Sequence, residues 1–100
     1  MSDFKKSRKI TEIEGESSRF IDAFIHKSGD VGFYVQDFNQ VAKAMTGDSE
    51  YEFVTYVNKK HKDDVILALL EKLYTGSESA SSDFQELMEA NNIPCEIQVL

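Results

Sequence analysis

Apolar residues recur at about every second position through the first third of the chain, the spacing of a half-buried β-strand. The pattern begins at Arg8, where Ile10 and Ile13 break strict alternation. Residues 1–7 are polar and basic and are expected to be disordered. Over residues 18–27 the signal is stronger. Phe20, Asp22, Phe24 and His26 fall on one face and Ile21, Ala23 and Ile25 on the other, with the aromatic and β-branched content that suits a sheet. Residues 27–30 (Lys-Ser-Gly-Asp) are a turn signal, because Gly29 can take a positive φ that other residues resist. Residues 31–36 then read as a return strand with Val31, Phe33 and Val35 on one face. Connections this short favour an antiparallel meander.

At Asp37 the period becomes helical. Asp37 is a suitable N-cap and Gln40 stands at capping-box spacing from it. Phe38, Val41, Ala42 and Met45 recur as one helical face, and Gly47 follows as a stop. Residues 50–58 are again strand-like, with Tyr51, Phe53, Thr55 and Val57 expected inward while Val54 and Tyr56 leave the other face half-apolar. A helix is expected from about Asp63 to Gly76, with Asp63 and Asp64 at its positive end and Val65, Ile66, Leu69, Leu70 and Leu73 as its apolar stripe. Ser82 and Gln85 suggest a capping box for a last helix bearing Phe84, Leu87 and Met88. Asn91 or Asn92 suits its left-handed cap, and Pro94 prevents its continuation. Residues 95–100 alternate as a final strand, with Cys95, Ile97 and Val99 on one face. The fold class expected is therefore α+β: a two-layer single domain over 1–100, one mostly antiparallel sheet with helices on one face, in the order β-β-β-α-β-α-α-β.

Composition narrows the function classes. The 100 residues are 41% hydrophobic and 29% charged, ordinary for a globular chain. No apolar run approaches the ~20 residues of a membrane span, and no apolar segment follows the basic start as a secretory signal would require. The single Cys95 cannot staple the fold, favours a reducing, cytoplasmic setting, and is expected to be buried. The net charge of −7 lies in the second half: residues 1–47 carry seven basic and seven acidic groups, residues 48–100 four and eleven. Such a surface repels nucleic acid and membranes and suits a basic protein partner, although acidity also serves plain solubility.

Candidate chemistry is sparse. His26 and His61 have no second ligand at metal spacing. Asp48, Glu50 and Glu52 lack the glycine and terminal glutamate of a calcium loop. Gly29 and Gly32 belong to a hairpin and are followed by no Lys-Ser/Thr pair, so no phosphate loop, cofactor or catalytic residue is expected. Lys59, Lys60 and Lys62 form a basic run that could hold phosphate or nucleic acid, especially if Lys5, Lys6, Arg8 and Lys9 lay beside it.

The run Gly47-Asp48-Ser49-Glu50-Tyr51-Glu52-Phe53, the segment Val35-Gln36-Asp37-Phe38, and an ending of helix, Ile93-Pro94 and strand resemble a group of small uncharacterised bacterial α+β proteins. The resemblance covers roughly residues 8–99. Its motifs are structural, and Cys95 and Val99 stand where that group has aromatic residues. It implies a bacterial or phage origin and no particular activity. Taken together, these features point to a non-enzymatic protein-binding module of immunity or antitoxin type, a monomer or homodimer. Its expected contact residues are Glu50, Glu52, Tyr56, Glu86 and Glu89. The alternatives are phosphate or nucleic-acid binding through Lys59, Lys60 and Lys62, an enzyme with a dispersed site around His26, and a homodimer joined through an open sheet edge or the face bearing Val54 and Tyr56.

Overall fold

The computed structural model describes residues 3–38 and 50–100. It has two compact units, Met1–Asp64 and Val65–Leu100. The first is an antiparallel meander of four strands, β1 (Phe4–Ile13), β2 (Ser18–His26), β3 (Val31–Phe38) and β4 (Glu50–Val57), neighbours in that order. Two helices follow, α1 (Lys62–Tyr74) and α2 (Ala80–Ala90), so the fold class is α+β.

Directly opposed residues share a face of the sheet, so the register defines two surfaces. One is aromatic: Phe4, Phe20, Phe24, Tyr34 and Phe38, joined by Val54 and Tyr56. The other holds Ile21, Ala23, Ile25, Val31, Phe33, Val35 and Phe53. On the aromatic face Phe4 stacks on Phe24 with ring centroids 4.3 Å apart and meets Tyr34 edge-on at 6.0 Å, while Phe20 meets Phe38 edge-on. Phe24, at 5% exposure, and Tyr34 anchor this side, and Val35 is buried on the other. The stack explains why β1 starts at Phe4, earlier than the polar composition of residues 1–7 suggests. Phe4 has a core partner, and the Asp3 carbonyl accepts the Lys27 N–H at 2.9 Å. The turn from β2 to β3 forms where expected. His26 N–H donates to the Asp30 carbonyl and Gly29 N–H to the His26 carbonyl, both at 2.8 Å, with Gly29 at φ 100°.

Asp37 is not a helix cap: it continues β3, which runs to Phe38. Its carboxylate is buried and receives a two-pronged ion pair from Arg19, directly across on β2, with Nε–Oδ1 2.6 Å and Nη2–Oδ2 2.7 Å. An ion-paired cross-strand neighbour outweighs a local capping preference. The remainder of the helix expected there, with Gln40, Val41, Ala42, Met45 and Gly47, lies outside the described residues.

The guanidinium hydrogen bonds hold the Asp37 carboxyl below its ordinary value of 3.8, against the opposing effect of burial. A folded pKa below the unfolded one means that the pair stabilises the sheet above about pH 4, and that this contribution is lost as pH falls through the lowered folded pKa. Asp37→Asn is therefore expected to lower the urea midpoint at pH 7. The gap from wild type should close progressively below pH 4. A gap of constant size down to pH 2 would show that the carboxylate charge is not what the pair contributes.

Among the described residues β4 is an edge strand, and this changes which of its residues are inward. Neither alternate set is buried; Tyr51, Phe53, Val54, Tyr56 and Val57 are all exposed.

In the second unit the two helices are joined by a turn in which Gly76 takes φ 83°. Tyr74 of α1 meets Phe84 of α2 edge-on at 6.4 Å. Helix α1 starts and stops close to its sequence signals, but its stripe is only partly covered: Val65 and Leu70 are half-buried, while Ile66, Leu69 and Leu73 are exposed. Helix α2 starts before Ser82. Ser79 is its N-cap residue, its carbonyl accepting the Asp83 N–H at 2.8 Å, and Ser82 sits in the first turn with its hydroxyl donating to that same carbonyl. A serine-rich run offers several equivalent caps, so spacing alone picks the wrong one. The C-terminus is a Schellman motif. Ile93 N–H donates to the Met88 carbonyl and Asn92 N–H to the Glu89 carbonyl, with Asn92 left-handed at φ 58°.

The final strand does not form. Residues 95–100 have no strand partner among the described residues, and Cys95 is consequently exposed rather than buried. Alternation is a local property; a strand also needs an available edge in register.

Candidate binding edge and hollow

The two edges of the sheet are built differently. β1 carries Lys5, Lys6, Arg8 and Lys9, and its pairing with β2 is interrupted twice, between Phe4 and Lys6 and between Lys9 and Thr11. Charge and irregular pairing are how proteins prevent an edge from recruiting another strand. β4 carries no cation, and its pairing has no interruption. It pairs with β3 without interruption from Glu50 opposite Phe38 to Val57 opposite Val31. Its only charged residues are Glu50 and Glu52, at one end. Its outward backbone groups belong to a regular strand flanked by exposed aromatic and β-branched side chains, with Tyr56 at 62% exposure.

Beside this edge the aromatic face has a hollow. Phe24, Gly32 and Tyr56 form one row across β2, β3 and β4. A gap of about 360 Å³ lies beside this row, lined by Phe24 and Tyr56 together with Phe4 and Val54. The glycine is obligatory, because β4 passes too close for a larger residue. A Cβ at Gly32 would overlap the Thr55 carbonyl oxygen and stand 2.7 Å from the Tyr56 Cα.

Three polar residues line the hollow: Asp3, Asp30 and His26. His26 Nδ1 accepts the Ser28 N–H at 3.0 Å and lies 2.9 Å from the Ser28 hydroxyl, which leaves Nε2 to carry the proton of the neutral ring. Asp30 uses Oδ1 to accept the Lys59 N–H at 2.8 Å, tying the β2–β3 turn to the segment after β4. The hollow thus has apolar walls, Asp3 and Asp30 are its acidic lining residues, and among the described residues no lysine or arginine lines it.

Of the expected contact residues, Glu50, Glu52 and Tyr56 lie on one strand. Glu52 accepts a hydrogen bond from Gln36 Nε2 at 3.1 Å, and the side chain of Glu50 lies outside the described residues. Glu86 and Glu89 lie on α2 in the other unit and are exposed. Lys59 and Lys60, with His61, form a 3-10 turn whose first N–H groups are capped by Asp30 and by Asn58 Oδ1, and Lys62 begins α1. Lys5, Lys6, Arg8 and Lys9 are on the opposite edge, three strand spacings or about 14 Å from β4.

Phe4, Phe24, Gly32, Asp3 and Asp30 were not legible as a group, because only strand register brings them together. The one sequence signal was a glycine inside a strand, which marks a close backbone approach. Among the described residues no three His, Cys, Asp or Glu side chains converge as metal ligands, and no helix is long and apolar enough to cross a membrane. No family model, curated protein or solved structure matches the chain.

Proposed function

We propose that this protein is a non-enzymatic protein-binding module of immunity or antitoxin type, cytoplasmic and of bacterial or phage origin, that engages a basic protein. The observation that carries the reading is the β4 edge: regular, uninterrupted, apolar and acidic, opposite an edge protected by cations and bulges. The acidic balance of residues 48–100 extends the same electrostatic preference. A strand added along β4 would satisfy its outward backbone groups, while Glu50 and Glu52 would favour cations at one end.

The test uses Val54→Lys/Tyr56→Lys, which places cations on the exposed edge. Both sites are exposed, so unfolding free energy is expected to change by no more than about 0.5 kcal/mol. Wild-type protein should capture a basic protein from lysate at low salt and release it at high salt, and the variant should lose at least about tenfold in affinity. Capture of an acidic protein or of nucleic acid, or equal capture by the variant, would overturn the reading. The same edge also favours self-pairing as a homodimer. A dimer of wild type that becomes a monomer in the variant, with no foreign partner, would assign β4 to that role instead.

A further inference from the structure

We infer that the hollow between Phe24 and Tyr56 receives an organic cation: the guanidinium or ammonium group of an Arg or Lys side chain presented by the basic partner. The inference rests on the protein-binding reading for the source of the cation, and on the hollow itself for its chemistry.

Phe24 on β2 and Tyr56 on β4 stand at the two ends of one row, with Gly32 between them on β3, where β4 passes so closely that only glycine fits. Phe4, stacked flat on Phe24 at an interplanar angle of 9°, closes the hollow on the β1 side. Aromatic walls alone would accept any apolar group. Selectivity comes from charge, because Asp3 and Asp30 are the acidic residues among the described lining. Aromatic rings with carboxylates in the same lining attract cations twice over, through the negative ring faces and through direct charge. A neutral or anionic side chain would gain only the apolar contact, or be repelled.

Among the described residues no cation already occupies the space. Lys59 and Lys62 lie against Gly29, on the turn beyond Asp30, and are not among the residues lining the hollow. Asp30 gives one oxygen to the Lys59 N–H, which fixes the position of its carboxylate. The hollow also shares Val54 and Tyr56 with β4, so a strand added to that edge could turn one side chain into it.

The probe is the peptide acetyl-Val-Arg-Val-amide, compared with the same peptide carrying citrulline, which keeps the shape of arginine and removes its charge. Both are titrated into the full-length protein, with amide shifts followed by NMR. The arginine peptide is expected to shift Phe24, His26 and Val54–Tyr56, with a Kd on the order of 1 mM or tighter. The citrulline peptide should bind at least about tenfold more weakly. Asp3→Asn/Asp30→Asn removes both charges, leaves at position 30 an amide oxygen able to accept the Lys59 N–H, and is expected to weaken the arginine peptide about tenfold. Tyr56→Leu should weaken it about threefold. Equal binding of citrulline, shifts centred elsewhere, or indifference to both variants would overturn the inference. If that happens while Val54→Lys/Tyr56→Lys still loses a basic partner, only the cation site is wrong. If the edge variant also retains capture, the protein-binding reading falls with it.

Discussion

Phe24→Ala is expected to destabilise the sheet by about 3–5 kcal/mol, the range for removing a buried phenylalanine from a core. Phe24 is 5% exposed, and Phe4 stacks on it at 4.3 Å. Two features place the effect at the upper end. Gly32, its neighbour in register on β3, has no side chain that could move into the space. Tyr56, the next residue along the row, is held out at an exposed edge. The lost ring would therefore leave a cavity rather than a repacked core, and β1 would lose the contact that orders its first residues. Stability of a chain this size is typically about 5–15 kcal/mol, so the loss removes a large share of it and should lower the urea midpoint in proportion. Phe24→Leu, which keeps most of the volume, should cost far less, about 1 kcal/mol. Urea unfolding followed by circular dichroism measures both. A loss below about 1 kcal/mol for the alanine variant would mean that the aromatic face contributes little to the fold.

Gly32→Ala is the second large effect, and its sign is the informative part. Glycine to alanine at an unstrained position normally stabilises by about 0.4–1 kcal/mol, because the unfolded chain loses freedom. Here the added methyl group would overlap the Thr55 carbonyl oxygen and crowd the Tyr56 Cα at 2.7 Å and the Thr55 carbonyl carbon at 2.8 Å. All three are backbone atoms of β4, so no rotamer change relieves the clash. The substitution is expected to cost about 3 kcal/mol and to push β4 away from β3. Hydrogen exchange should localise the damage: amides of β4 lose protection while those paired between β1 and β2 keep it. A stabilising effect, or uniform loss of protection, would show that β4 does not pass Gly32 as closely as described. The variant also separates the hollow from the edge, since displacing β4 removes Tyr56 from the row even if β4 stays folded.

How much of this was legible in the sequence differs by element. The alternation of residues 18–27 and 31–36 placed β2, β3 and their opposite faces correctly, and the turn chemistry of Gly29 specified the hairpin between them. Helix α1 was equally readable, and the left-handed cap was narrowed to Asn91 or Asn92, of which Asn92 takes it, because period and capping are properties of adjacent residues. Tyr56 and Glu52 could be named as exposed, but not as members of an edge. Whether a strand is central or at an edge depends on what pairs with it, and that information is held by other segments.

The same limit explains each departure. Asp37 has the composition of a helix cap, yet Arg19 opposite it on β2 makes it a strand residue. Phe4 sits in a polar segment, yet a ring on β2 recruits it. Residues 95–100 alternate like a strand and remain without a partner among the described residues, leaving Cys95 exposed. The hollow is the extreme case. Its walls come from β1, β2 and β4, residues separated by up to half the chain and joined only by register. Local periodicity determined the α+β class and most element positions, since it depends on a few neighbouring side chains. Tertiary structure alone decided the unprotected edge and the hollow beside it, because both arise from which strands lie next to one another and how closely their backbones pass.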